Sequence, residues 1–113
     1  MMIIKDTLNG EELRQMAARR FGDLVKAVVD VDRKLLAVDA ELHADLEALL
    51  LEDGSRQRSL WGINLYPDLP EDQWIEFDSV INLRPSQGNR SRGVDDEAIR
   101  RHIIAIVQQR VAR

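Results

Sequence analysis

Apolar residues in this chain follow two periods in turn, and the switching between them limits the folds open to it. Leu13, Met16, Ala17 and Phe21 share one helical face. Val25, Ala27, Val29 and Val31 then alternate at strand spacing within Leu24 to Asp32. After a short turn, Asp32-Arg33-Lys34, the segment Leu35 to Ala40 returns as a second strand. Leu60 to Tyr66 sets Trp61, Ile63 and Leu65 against Gly62, Asn64 and Tyr66. Gln73 to Arg84 sets Ile75, Phe77, Ser79, Ile81 and Leu83 against Glu76, Asp78, Val80, Asn82 and Arg84, so each strand of this hairpin has an apolar and a polar face. Ile99, Ile103, Ile106, Val107 and Val111 restore the helical stripe.

Met1 to Ile4 adds a short strand, and the Leu- and Ala-rich stretch Leu46 to Glu52 a helix, within an otherwise ambiguous Glu41 to Asp53. The order is β-α-β-β-α-β-β-α. The expected class is α+β: an antiparallel or mixed sheet of four to five strands, with about three helices covering one face. At 113 residues the chain reads as one domain, 1–113. The expected burial places Ile75, Phe77, Ile81 and Leu83 against the last helix.

Local signals mark the helix ends. Asn9 is an N-cap with Glu12 at the capping-box position, and Leu8 and Leu13 are placed as a hydrophobic staple. Gly22 and Gly54 are placed to end helices, and Asp45 to start one. Asp95 is expected to cap the last helix, with Asp96 and Glu97 in its first turn.

Charge is unevenly spread. The chain carries 20 Asp+Glu and a net charge of −4, yet no carboxylate occurs between Asp78 and Asp95. That window holds Arg84, Arg90 and Arg92, and a second acid-free window, Gly54 to Pro67, holds Arg56 and Arg58. The loop Arg84 to Gly93 leads into a helix N-terminus. Arginine forks, flexible Gly88 and Gly93, and free helix N–H groups all suit an anion. The loop follows neither the phosphate-loop nor the dinucleotide glycine pattern. Pairing of its arginines with Asp95, Asp96 or Glu97 is the plain alternative. The acidic total argues against duplex DNA as a partner.

Other candidates are weaker. Asn64, Tyr66, Glu76, Asp78, Asn82 and Arg84 share the polar hairpin face, where Trp74 is placed to stack on a ligand; a solvated face is the alternative. His43 lies at strand spacing from Asp45, which suits a general base with an orienting carboxylate, or else a histidine that satisfies local hydrogen bonds. With only His43 and His102, a site with several histidines is excluded, and a carboxylate site for magnesium stays open. No metal site and no cofactor is expected. Cysteine is absent, which excludes disulfides, thiolate chemistry and Cys-type zinc sites and points to the cytoplasm. The N-terminus reads as no signal peptide, and no apolar run approaches the roughly 18–20 residues of a membrane span.

The strings Glu41-Leu42-His43-Ala44-Asp45, Leu50 to Gln57, Leu60-Trp61-Gly62-Ile63-Asn64-Leu65-Tyr66-Pro67 and Ile81 to Gly93 resemble a family of short bacterial proteins filed as a domain of unknown function. The resemblance spans nearly the whole chain. It implies a bacterial origin and a self-contained domain, and supplies no activity.

Three readings follow. The first is a ligand-binding domain that receives a small anionic group, phosphate or carboxylate, at Arg84, Arg90, Arg92 and the backbone of Gly88 to Gly93. Asn64, Asn82 and Gln87 would orient the ligand, with Asn89 inside the loop. The second is a small hydrolase acting on a phosphoester, with His43 as base and Asp45 or Asp78 beside it. The third is a protein-interaction module, such as a homodimer joined by a strand edge or the last helix.

Overall fold

The computed structural model describes all 113 residues and is α+β. Its strands are β1 (Met2–Ile4), β2 (Leu8–Asn9), β3 (Val25–Asp30), β4 (Leu35–Val38), β5 (Leu60–Leu65), β6 (Ile75–Glu76) and β7 (Val111–Ala112). Its helices are α1 (Gly10–Arg20), α2 (His43–Glu52) and α3 (Glu97–Arg110). Five strands form one antiparallel sheet in the order β1-β4-β3-β5-β6. A second ladder, β2 beside β7, is parallel and ties the two ends of the chain together.

The central pair explains the alternation. Ala27 faces Ile63 and Val29 faces Trp61 across β3 and β5. These residues point to one side, where they join Leu13, Met16 and Ala17 of α1 and Ile103, Ile106 and Val107 of α3 in the larger core. The opposite side is also covered, which corrects the one-sided expectation. Val28, Leu35, Ala37 and Leu60 meet Leu46 and Leu50 of α2 in a second apolar cluster. Each fully buried leucine there contributes about 1.5–3 kcal/mol. The sheet is therefore a middle layer, with α1 and α3 below it and α2 above.

Helix starts follow local chemistry. At α1 the Glu12 N–H donates to Asn9 Oδ1 at 2.8 Å and the Asn9 N–H donates to Glu12 Oε1 at 3.3 Å, the expected reciprocal cap. Helix α2 begins earlier than expected, at His43, and Asp45 lies inside its first turn instead of capping it. At α3 the cap is Asp96, which accepts from the Ala98 and Ile99 N–H groups. Asp95 instead serves the preceding loop.

The expected strand over Gln73 to Arg84 survives only as Ile75 and Glu76. Beyond Glu76 the chain leaves the sheet, and a 3-10 turn forms at Val80–Asn82 with Ser79 as its cap. The reason lies across the gap, in Asn82. Its carboxamide accepts from the Gly62 N–H at 2.8 Å and donates to the Gly62 carbonyl at 2.9 Å, taking the place of a strand neighbour. The alternating apolar residues are consequently shared between layers. Ile75 and Phe77 pack on the larger core, Ile81 packs on the α2 side, and Leu83 is 44% exposed. Trp74, expected on the polar face, is buried in the larger core, with the Arg113 guanidinium 4.3 Å from its ring.

Candidate functional site

The turn away from the sheet opens a cleft. It lies between the start of α2, the β5–β6 pair and the segment Asp78 to Ile81, and encloses about 510 Å³. Half of its 14 lining residues are hydrophobic. Three of those are unusually exposed for their type: Phe21 at 40%, Leu42 at 56% and Val80 at 62%. An apolar rim around a cavity of this size suits a small molecule.

Four sequence candidates meet in this cleft: His43, Asn64, Asp78 and Arg92. Tyr66 and Glu76, from the polar hairpin face, join them. Asn64 is opposite Glu76 in the strand register. Its Nδ2 donates to Glu76 Oε1 at 2.8 Å and to the Asp78 carbonyl at 3.2 Å. Both amide hydrogens are thereby used, which settles the orientation of the carboxamide. Its Oδ1 is buried and has no hydrogen-bond partner. A buried acceptor left unpaired costs about 1–3 kcal/mol, so this atom is a marked feature of the site.

His43, at the first position of α2, is buried, with Nε2 2.8 Å from the Ile63 carbonyl. A carbonyl only accepts, so Nε2 carries the hydrogen. Burial pushes the ring below the usual histidine range, more strongly than the Ile63 carbonyl and the Asn64 side chain raise it. A neutral ring with Nε2–H leaves a lone pair on Nδ1, and the Asn64 side chain lies close enough to the ring to raise its pKa. The expected carboxylate partner is absent: Asp45 is exposed and outside the cleft, and Asp78 Oδ1 accepts from Arg92 Nε at 2.6 Å. Tyr66 donates to Glu76 Oε1 at 3.1 Å, and burial together with Glu76 raises its phenol above the ordinary value.

The arginine loop is built differently. Arg84 lies 4.2 Å over the Trp61 ring and donates to the Gln57 and Leu60 carbonyls at 2.6 and 2.7 Å. Burial pulls its pKa below the ordinary arginine value, and its Nε has no partner. Gln87 donates to the Arg58 carbonyl. Asn89 is buried and stitches the loop, with Nδ2 donating to the Asn82, Ser91 and Gly93 carbonyls and Oδ1 accepting from the Asp95 N–H. Asp95 in turn accepts from the Ser91 hydroxyl and the Arg90 N–H, and these two bonds lower its pKa. The anion held by the loop backbone is thus the chain's own carboxylate. Gly88, at φ 88°, ends the 3-10 turn Pro85–Gln87 in a conformation that favours glycine. A recess of about 240 Å³ beside Gln87, Gly88 and Asn89 contains no cation in its lining, only Asp96. Arg90 is the one loop guanidinium with no partner in the chain.

The apolar rim escaped the sequence reading. Phe21, Leu24, Leu42 and Val80 come from three separate segments, and no local spacing connects them. No group of three or more His, Asp and Glu side chains is gathered to hold a metal. No helix is long and apolar enough to cross a membrane.

Against known proteins, residues 2–110 match a family described as protein of unknown function, DUF5674. The chain belongs to this family. No curated protein matches it, and no solved structure does. The family match covers every residue of the cleft, from Phe21 to Arg92.

Proposed function

We propose that the protein is a binding domain for a small amphipathic molecule and that the α2–β5–β6 cleft is its site. The observation that carries this reading is the pairing of an apolar rim with a floor of converging polar groups, one of them the unpartnered Asn64 Oδ1. Lys26 and Arg92 border the same space and supply positive charge for an acidic part of a ligand. The arginine-loop reading persists in this reduced form, because Arg92 belongs to both features. What weighs against a separate anion site at Gly88 to Gly93 is that Asp95 already takes its donors. The absence of cysteine supports a cytoplasmic setting, and the resemblance to short bacterial proteins supports a bacterial one.

The test is an amide NMR screen of small amphipathic fragments. Shifts should cluster at Lys26, His43, Ala44, Asn64, Tyr66 and Glu76 to Ile81. Ala44→Trp, which places a large ring at the mouth from an exposed helix position, should abolish them. Scattered shifts, or full binding in the tryptophan variant, would eliminate the cleft as the site.

A further inference from the structure

The polar floor of the cleft has a sign in the hydrogen-bonding sense. Asn64 has spent both amide hydrogens on Glu76 and the Asp78 carbonyl, so only its oxygen is left. His43 has spent its one hydrogen on the Ile63 carbonyl, so only the Nδ1 lone pair is left. The Tyr66 hydroxyl hydrogen is committed to Glu76. Glu76 and Asp78 are carboxylates, which only accept. The corner between α2 and the β5–β6 pair thus offers acceptors from His43, Asn64, Glu76 and Asp78. The charged donors of the cleft, Lys26 and Arg92, are on long side chains, and Arg92 is already tied to Asp78 through Nε; the Ser79 hydroxyl, which accepts from the Ile81 N–H, keeps its own hydrogen on the opposite wall.

We infer that the ligand of this cleft presents a nitrogen bearing hydrogens, an ammonium or carboxamide, to His43 Nδ1 and Asn64 Oδ1, with its apolar part against Phe21, Leu42 and Val80. The inference rests on the ligand-binding reading above and specifies its chemistry. A nitrogen with two or more hydrogens reaches both acceptors at once, and neither acceptor finds such a partner in the chain. A carboxylate at the same place would set lone pair against lone pair and leave Asn64 Oδ1 unpaired. The rim, formed by one aromatic and two aliphatic side chains, fits a single ring or a short branched chain attached to that nitrogen.

The probes are benzylamine, benzamide and benzoate, which share a ring and differ in the polar group. Each is titrated into the full chain near neutral pH, with amide shifts followed at His43, Asn64 and Asp78 to Ile81. Benzylamine should bind in the cleft about tenfold or more tightly than benzoate, the scale of one hydrogen bond involving a charged group, and benzamide about threefold or more tightly, the scale of a neutral one. Asn64→Leu and His43→Phe should each remove that preference while the apolar contact remains. Benzoate binding as tightly as the two nitrogen probes overturns this inference and leaves the ligand-binding reading standing. A preference unchanged in both folded variants also overturns it. No cleft shifts with any of the three probes overturns both readings.

Discussion

Gly62 is the residue on which the cleft wall rests. A Cβ built there would lie 2.5 Å from Ser79 Cβ and 2.6 Å from its Oγ, closer than real carbon contacts come. Gly62→Ala should therefore lower stability by about 1–3 kcal/mol, the usual penalty of overpacking, measured as a shift in urea midpoint. An unchanged midpoint would show that the Ser79 segment moves aside freely. His43 makes a second prediction through its titration. Unfolded, the ring titrates near 6.5; folded, its pKa is lower, because burial disfavours the charged form. Between those two values the unfolded chain holds more protons than the folded one. Stability is then complete above about 6.5 and declines as pH falls toward the folded value. An NMR titration of the His43 ring should give a midpoint below 6.5, and His43→Gln should lose this acid-side decline. A midpoint at or above that value would mean the ring is more exposed than the structure places it. His43 was visible in the sequence as a polar residue with two readings. Its partner was not, because the Ile63 carbonyl lies 20 residues away and carries no side-chain signal.

Elements read from local pattern fared according to what shaped them. The capping of α1 by Asn9 and Glu12 and the faces of β3 and β5 needed only neighbours in sequence. The segment after Glu76 needed more. Its period-2 pattern satisfies a strand, yet the same pattern also lets Phe77 and Ile81 serve opposite layers once Asn82 has captured Gly62. Strand propensity was overridden by one carboxamide whose target is 20 residues back. Asn82→Ala should leave the Gly62 N–H and carbonyl unpaired in a buried place and cost about 2–4 kcal/mol, read from chemical denaturation. A loss under about 0.5 kcal/mol would mean that water or a new strand pairing replaces it. The arginine loop gives the contrast. Arg90→Ala, at an exposed guanidinium without a partner, should change stability by no more than about 0.5 kcal/mol. A larger drop would reveal that the side chain has a structural partner after all. In phosphate titrations the same variant separates the loop from the cleft, since Arg90 does not line the cleft.

At the scale of the whole molecule, the three-layer arrangement puts the sheet's central strands out of reach and leaves its borders short. One border is β1, with three residues; the other is β6, with two. Past β6, the β5 border is occupied by the Asn82 side chain instead of by backbone. A foreign strand seeking a row of free N–H and C=O groups finds a template only two or three residues long. Runaway sheet growth between molecules, the usual hazard of an open antiparallel sheet, has little to start from. Concentrated solutions should accordingly stay clear and free of thioflavin-binding fibrils at neutral pH, whereas Asn82→Ala, which uncovers the middle of β5, should shorten the lag before fibrils form. The side chain that shapes the cleft therefore also keeps neighbouring copies from joining their sheets.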